Sequence, residues 1–377
     1  MANEDKATRY QRLKRRASLA GTAGSALLLI VFIAAGGSSS LRALAASLSG
    51  DSFTLTIVLY VIALALLAEV IQLPLSFYLG VTLERRYGLS TESTGRWWLD
   101  HLKAVAIGLV FAIGAAIAVC WLLRWSPDRW WILAAAVFSL VMVALAQLAP
   151  VLLLPLFYEF KPLDRPALRD RLVALANRAG ARVLGVFEWR LGDKTRKANA
   201  ALTGIGRTRR IIVSDTLLAD HSDDEIEVIL AHELAHHVHR DIWSGIAFES
   251  GLIVLGFFLA DRVIASGVGR FGILAKSDPA ALPLLMLATG LVSLLLKPFA
   301  NALSRAHERR ADRYALDMTR NAAAFTSAMK RLGAVNLAEE RPSRLVEYLF
   351  YTHPPIAARI DAARRWADDH RLEAASR

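Results

Sequence analysis

Cysteine is nearly absent. Of 377 residues only Cys120 carries a thiol, which excludes an internal disulfide and a multi-thiolate zinc site. Cys120 lies in an apolar run and reads as a packed side chain. The chain also has no internal repeat and no low-complexity segment. Soluble character is scarce: 55% of residues are hydrophobic and mean hydropathy is +0.37, too apolar for an ordinary soluble enzyme. A net charge of +11 could suggest nucleic acid. Many of the basic residues flank apolar segments, as membrane topology favours, so no nucleic-acid partner is expected.

The apolar runs are about six in number: 18–36, 53–79, 103–123, 130–158, 242–264 and 280–300. Each is long enough to cross a bilayer. The first follows Arg9, Arg12, Lys14, Arg15 and Arg16 and competes with a signal-peptide reading. An uncleaved span is preferred because further spans follow. Residues 36–51 read as a small-residue loop with room for a short amphipathic helix, and 80–102 as a polar loop. Glu69 falls inside the second run, where a hydrogen bond to a neighbouring helix is preferred over a hydrated wall. The basic N-terminus places the chain start in the cytoplasm, so four spans return 160–241 to that side and two more return 301–377. The two soluble pieces can therefore share one site.

Four domains follow: an N-terminal membrane domain at 1–159, a catalytic segment at 160–241, a transmembrane hairpin at 242–300 and a second catalytic segment at 301–377. The fold class is mainly α and polytopic, with a small α+β, zincin-like domain assembled from the two soluble segments. In the first of these, Ala167–Ala179 reads as an amphipathic helix stopped by Gly180. Val183–Trp189 reads as a strand, and Asn199–Thr203 and Arg210–Ser214 as two more joined by a turn at Gly204–Arg209.

Chemistry concentrates at His232-Glu233-Leu234-Ala235-His236. Histidines four apart stack on one helical face and can reach a single metal ion. Neutral imidazole suits zinc, and Glu233 is free to act as general base on a water, the arrangement of metal-assisted hydrolysis. Ser222-Asp223-Asp224-Glu225 forms a capping box upstream, and no Gly or Pro interrupts the pattern before Gly245. The helix is expected to run on into the fifth span. His237 points off this face, and His239 as a fourth protein ligand would close the open position. His101, His221, His307 and His370 have no partner pattern.

Two histidines do not complete the site. His239 and Ile242 stand where the metzincin pattern needs Gly and His, so that class is rejected. Glu308 and Asp312, one turn apart on a later helix, offer a carboxylate ligand and an orienting partner for a ligand histidine. A charged face paired with the adjacent arginines explains the same spacing equally well.

The chain resembles the M48 metallopeptidases, and within them the type I CAAX prenyl protease group. The resemblance rests on the metal helix, Ser304-Arg305 through Ala311-Asp312, and Lys197-Ala198-Asn199-Ala200. Thr352-His353-Pro354-Pro355 and the Glu84–Lys103 region support it. It implies His232, His236 and Glu308 as ligands of one zinc ion per chain, Glu233 as base and Asp312 as orienting partner. It further implies Asn199 as a holder of substrate backbone or oxyanion and His353 as stabiliser of the tetrahedral intermediate. Arg359 sits where the group has a cleft arginine. The implied fold is a ring of membrane helices around a water-filled chamber, though about six spans fall short of the roughly seven described for eukaryotic members.

The expected function is a membrane-embedded zinc endopeptidase acting on membrane-associated proteins, with CAAX-type prenylated proteins one candidate class and unprenylated ones left open. Its partners are a peptide or protein substrate, lipidated in that case, and membrane lipid; its place is the bacterial plasma membrane. An HtpX-like quality-control protease is the alternative within enzymes, disfavoured by four spans before the metal helix. A zinc-stabilised scaffold or transporter is the alternative of another class, disfavoured by Glu233, which a purely structural site does not need.

Overall fold

A computed structural model describes residues 5–204 and 209–375. The N-terminal half is helical. α1 (Lys6–Ala34) starts at Asp5, whose carboxylate accepts the Thr8 N–H. α2 (Gly37–Leu48) occupies the stretch that reads as a small-residue loop. α3 (Phe53–Phe77) passes through a π-helical turn at Tyr78–Thr82 into α4 (Leu83–Arg86). α5 (Thr94–Trp125) and α6 (Trp130–Leu152) follow. Gly80 lies in the π turn, and any Cβ there would sit 2.6 Å from the Trp97 indole nitrogen, so glycine is what lets α5 approach so closely.

The first catalytic segment contains β1 (Phe160–Pro162), α7 (Pro166–Arg178), β2 (Val186–Trp189), β3 (Ala200–Thr203), β4 (Arg210–Ser214), α8 (Asp215–Asp220) and α9 (Asp223–Val238). Residues 205–208 of the expected Gly204–Arg209 turn lie outside the described residues. α10 (Asp241–Gly267) and α11 (Leu282–Thr319) form the hairpin, and α12 (Ala322–Val335), α13 (Arg344–Phe350) and α14 (Ile356–Ala375) close the chain. Among the described residues six helical stretches are long and apolar enough to cross a membrane. The sheet order is β1-β2-β4-β3, with β2 and β4 parallel and the other pairs antiparallel. β3 is therefore an edge strand.

The soluble pieces fold as one unit. Leu172 of α7, Ile211 of β4, Leu230 of α9, Leu316 of α11, Phe325 of α12 and Trp366 of α14 belong to a single buried core. Separate apolar clusters hold the membrane helices: one joins α5, α6, α10 and α11 around Trp130 and Phe257, the other joins α2, α3 and α5 around Tyr60. Glu69 of α3 meets the His101 ring of α5 at 2.7 Å, the interhelical hydrogen bond expected of it.

Two expectations are corrected. The polar loop at 80–102 is largely helix: α3 continues through α4 to Arg86, and α5 begins at Thr94. Its charges do not end the helices because they are met from the catalytic segment, Glu84 by Lys197 at 2.8 Å and Asp100 by Lys194. The metal helix does not run on into the fifth span. It stops at Val238, and Arg240 takes a left-handed conformation (φ 57°) before α10 starts. That reversal turns the Asp241 carboxylate back toward α9.

The short loop after α4 completes the joint between the two parts. Leu89 C=O accepts the Arg196 N–H at 2.8 Å, and Lys194 C=O accepts the Thr91 N–H at 3.1 Å. Tyr10 of α1 donates to Glu84, so α1, α4 and the segment leading into β3 share one polar cluster. Lys197→Met should leave Glu84 with a half-buried, unneutralised charge and cost about 1–3 kcal/mol. Thermal unfolding of the detergent-solubilised protein should show a clear loss, partly recovered in the charge-reversed pair Glu84→Lys/Lys197→Glu; an unchanged melting temperature would refute the joint.

Candidate metal centre

α9 supplies both histidines because its start and its buried face are set independently. The Ser222 hydroxyl accepts the Glu225 N–H while the Glu225 carboxylate accepts the Ser222 N–H, completing the capping box. Ile226, Leu230 and Leu234 bury the opposite side in the core. The remaining face carries His232, Glu233 and His236. α11 is the longest helix of the molecule, and its last turns, beyond the membrane-crossing part, carry Glu308 and Asp312 against α9.

Glu308 stands between the imidazoles. Its Oε2 is 3.2 Å from His232 Nε2 and its Oε1 is 3.4 Å from His236 Nε2. Ligand bonds of ~2.1 Å at tetrahedral angles put neighbouring ligand atoms ~3.4 Å apart. One ligand atom from each of the three residues lies within 4.8 Å of the others, so the group is sized for one ion. Glu308 Oε2 is buried and makes no well-formed hydrogen bond, although His232 Nε2 stands 3.2 Å away; a cation between the two would satisfy both. The residues present fit the expected metal.

The outer nitrogens of both rings are taken. His232 Nδ1 is 2.9 Å from Asp312 Oδ1, and Arg359 Nε donates to Asp312 Oδ2 at 2.8 Å. His236 Nδ1 is 2.9 Å from Asp241 Oδ2, and Arg310 pairs with the other oxygen of Asp241. Each Nε2 is thereby turned inward. Burial opposes a charged His232, but Asp312 and Glu308 outweigh it and lift its pKa to about 9 in the metal-free site. His236 is raised by Glu308 and Asp241 against its own burial. Burial raises the Glu233 carboxyl, offset in part by the two imidazoles.

The other expected residues converge on the same place. His353 reaches in from the loop before α14, with Nε2 3.3 Å from Glu308 Oε1, and is exposed to the cleft. Asn199, at the lip of β3, is exposed and shares a cavity of about 320 Å³ with His232, Glu233 and Arg359. A second cavity of about 600 Å³, lined by Leu202, Arg209, His236 and Trp243, also reaches Glu233. Arg359, which the resemblance puts in the cleft, lines the same cavity as Asn199; it is buried there with its guanidinium committed to Asp312. His239 packs edge-on against Tyr314, and the His237 ring meets Arg209 at 3.3 Å, so neither joins the group. Asp241 was not legible in the sequence, because its approach to His236 depends on the left-handed Arg240 and no helical spacing encodes it.

Comparison with known proteins shows the family to which the chain belongs. Residues 162–367 match the family described as Peptidase family M48, more than half of the chain. The chain belongs to peptidase family M48. Residues 2–159 match the family described as CAAX prenyl protease N-terminal, five membrane helices. This M48 peptidase is 30% identical over 310 residues to the uncharacterized metalloprotease YhfN of Bacillus subtilis, covering 81% of the chain and 72% of that protein. It is 29% identical over 322 residues to CAAX prenyl protease 1 of Saccharomyces cerevisiae, covering 79% and 70%. Its fold superposes on the crystal structure of S. mikatae Ste24p with a TM-score of 0.82 at 23% identity, over 95% of this chain and 87% of that one. The M48 peptidase is thus a multi-pass membrane metallopeptidase.

A histidine must be neutral to bind metal, and His232 is protonated below a pKa of about 9 in the metal-free site. Metal affinity should therefore rise with pH, by roughly tenfold per unit where one proton is displaced, and level off above about 9. Titration of the metal-stripped protein at several pH values, with proton release recorded, checks this; a flat profile would contradict it. Asp241→Asn should weaken metal binding about 10–100-fold with Glu233 intact, read by competition with a chelator.

Proposed function

We propose that this chain is a zinc endopeptidase of the bacterial plasma membrane, with both catalytic segments on the cytoplasmic side, cutting membrane-associated proteins of the prenylated CAAX type. His232, His236 and Glu308 would hold the zinc. The observation that carries the reading is Glu233. It is a half-buried carboxylate beside the two imidazoles, reached by both cavities, and not one of the three grouped ligand residues. A scaffold site has no need of it. The N-terminal match over residues 2–159 and the relatives named CAAX prenyl protease 1 favour a prenylated substrate over general quality control.

A bound zinc would supply Lewis-acid polarisation and would lower the pKa of a water toward about 7. Glu233, with its carboxyl raised by burial, takes that water's proton and hands it to the departing amine. His353, projecting into the cleft, donates toward the carbonyl oxygen as negative charge builds there. The exposed Asn199 side chain holds substrate backbone. β3 offers an unpaired edge to an extended peptide, a mode of binding with little demand on sequence. Asp312 and Asp241 keep both imidazoles in register, and Arg359 and Arg310 offset the charge of those carboxylates.

Purified wild type and Glu233→Gln are to be compared on a prenylated CAAX peptide and its unprenylated twin. The variant should retain metal and lose about 10²–10⁴-fold in rate. Unchanged cleavage would sink the assignment of Glu233. Equal rates on the two peptides would remove the prenyl group from recognition and leave the peptidase reading in place.

A further inference from the structure

The free edge of β3 is closed off just before the strand begins. Asn199 is bonded toward β4, with Ser214 N–H donating to its C=O at 2.9 Å and its own N–H reaching the Ser214 hydroxyl at 3.0 Å. In an antiparallel pair successive residues alternate in direction, so Ala198, Ala200 and Leu202 turn their backbone groups away from β4. At Ala198 both groups are already taken. Its N–H donates to Asn336 Oδ1 at 3.1 Å, and its C=O accepts from Asn336 Nδ2 at 3.3 Å. A primary amide presents the same donor and acceptor as a peptide unit. Asn336 therefore stands where the next residue of an added strand would stand.

We propose that Asn336 is a specificity-determining end-stop: it terminates the peptide track on β3 and sets how far a substrate extends past the reacting bond on that side. The inference rests on the peptidase reading above. A peptide can pair with Ala200 and Leu202 and continue toward the larger cavity by Leu202 and Arg209. It cannot pair with Ala198 without displacing Asn336. The smaller cavity is lined both by His232 and Glu233 and by Asn336, Ala338 and Glu339.

The stop is braced. Leu337, just after it, sits at φ 48°, a conformation that a leucine holds only when its surroundings impose it. Gln11 of α1 donates to the Leu337 C=O at 2.7 Å. Glu339 is buried, and accepts from Arg15 of α1 at 2.7 Å and from the Tyr351 hydroxyl at 2.8 Å. The wall is thus tied to a membrane-crossing helix rather than left as a loose loop. A substrate entering this arm meets a barrier fixed relative to the membrane domain.

The test uses the full-length, metal-loaded protein and a ladder of peptides with one cleavable core, lengthened one residue at a time from either end, with products mapped by mass spectrometry. Wild type should keep the cut bond at a constant distance from one terminus as that end grows. Asn336→Ala should raise the ratio of longer to shorter fragments from that end about tenfold. Asn336→Asp, which loses the bond to Ala198 C=O and sets a carboxylate against it, should shift the ratio the same way. Metal content and melting temperature report on folding, and a purely structural role would slow all cuts alike without changing their ratio. An unchanged product ratio in folded, active variants overturns the proposal and leaves the peptidase reading standing. Absence of any cleavage dependent on Glu233 overturns both.

Discussion

Glu308 facing His232 and His236 is the contact on which the rest of the molecule depends. Three groups that all compete for a proton or a cation are gathered in a largely buried site, where uncompensated charge is expensive. The surrounding network is what makes that arrangement stable. Asp312 and Asp241 accept from the outer ring nitrogens, and Arg359 and Arg310 balance them in turn. The layers alternate in charge, acid against base, from the metal group outward. A metal ion completes the alternation.

The same contact dictates the topology. α9 lies before the α10–α11 hairpin and Glu308 lies after it, so an even number of crossings must separate them. The left-handed Arg240 does the local work: it ends α9 without Gly or Pro and brings Asp241, the first residue of the membrane helix, onto His236. The metal centre is thereby tied to the bilayer-crossing hairpin at both ligand-bearing elements. The N-terminal domain grips the other side of the cleft through Glu84 with Lys197 and Arg15 with Glu339. Peptidase chemistry and membrane embedding are mechanically one structure here, which fits a substrate that is itself membrane-associated.

How much of this was legible depended on the range of the interaction involved. The capping box at Ser222–Glu225 and the four-residue spacing of the histidines are local, and both appear as read. The apolar runs mark the six crossing helices for the same reason, because bilayer thickness acts on consecutive residues. Helix ends were less legible where charges were involved. Residues 80–102 look like loop because they carry Glu84, Arg85, Arg86 and Asp100, yet helix persists there because Lys197 and Lys194 neutralise two of those charges from a hundred residues away.

The sequence by itself determined the chemistry: an imidazole pair and a carboxylate base on one helical face, in a chain too apolar to leave the membrane. Tertiary structure alone decided the rest. Spacing left Glu308 and Asp312 equally readable as a solvated charged face, and only the packing of α11 on α9 sets one between the imidazoles and the other behind them. Asp241, Asn336 and the burial of Arg359 have no local signature at all. Each acts on a partner brought near by a chain reversal or a distant helix, and periodicity reports only what a residue does within its own element.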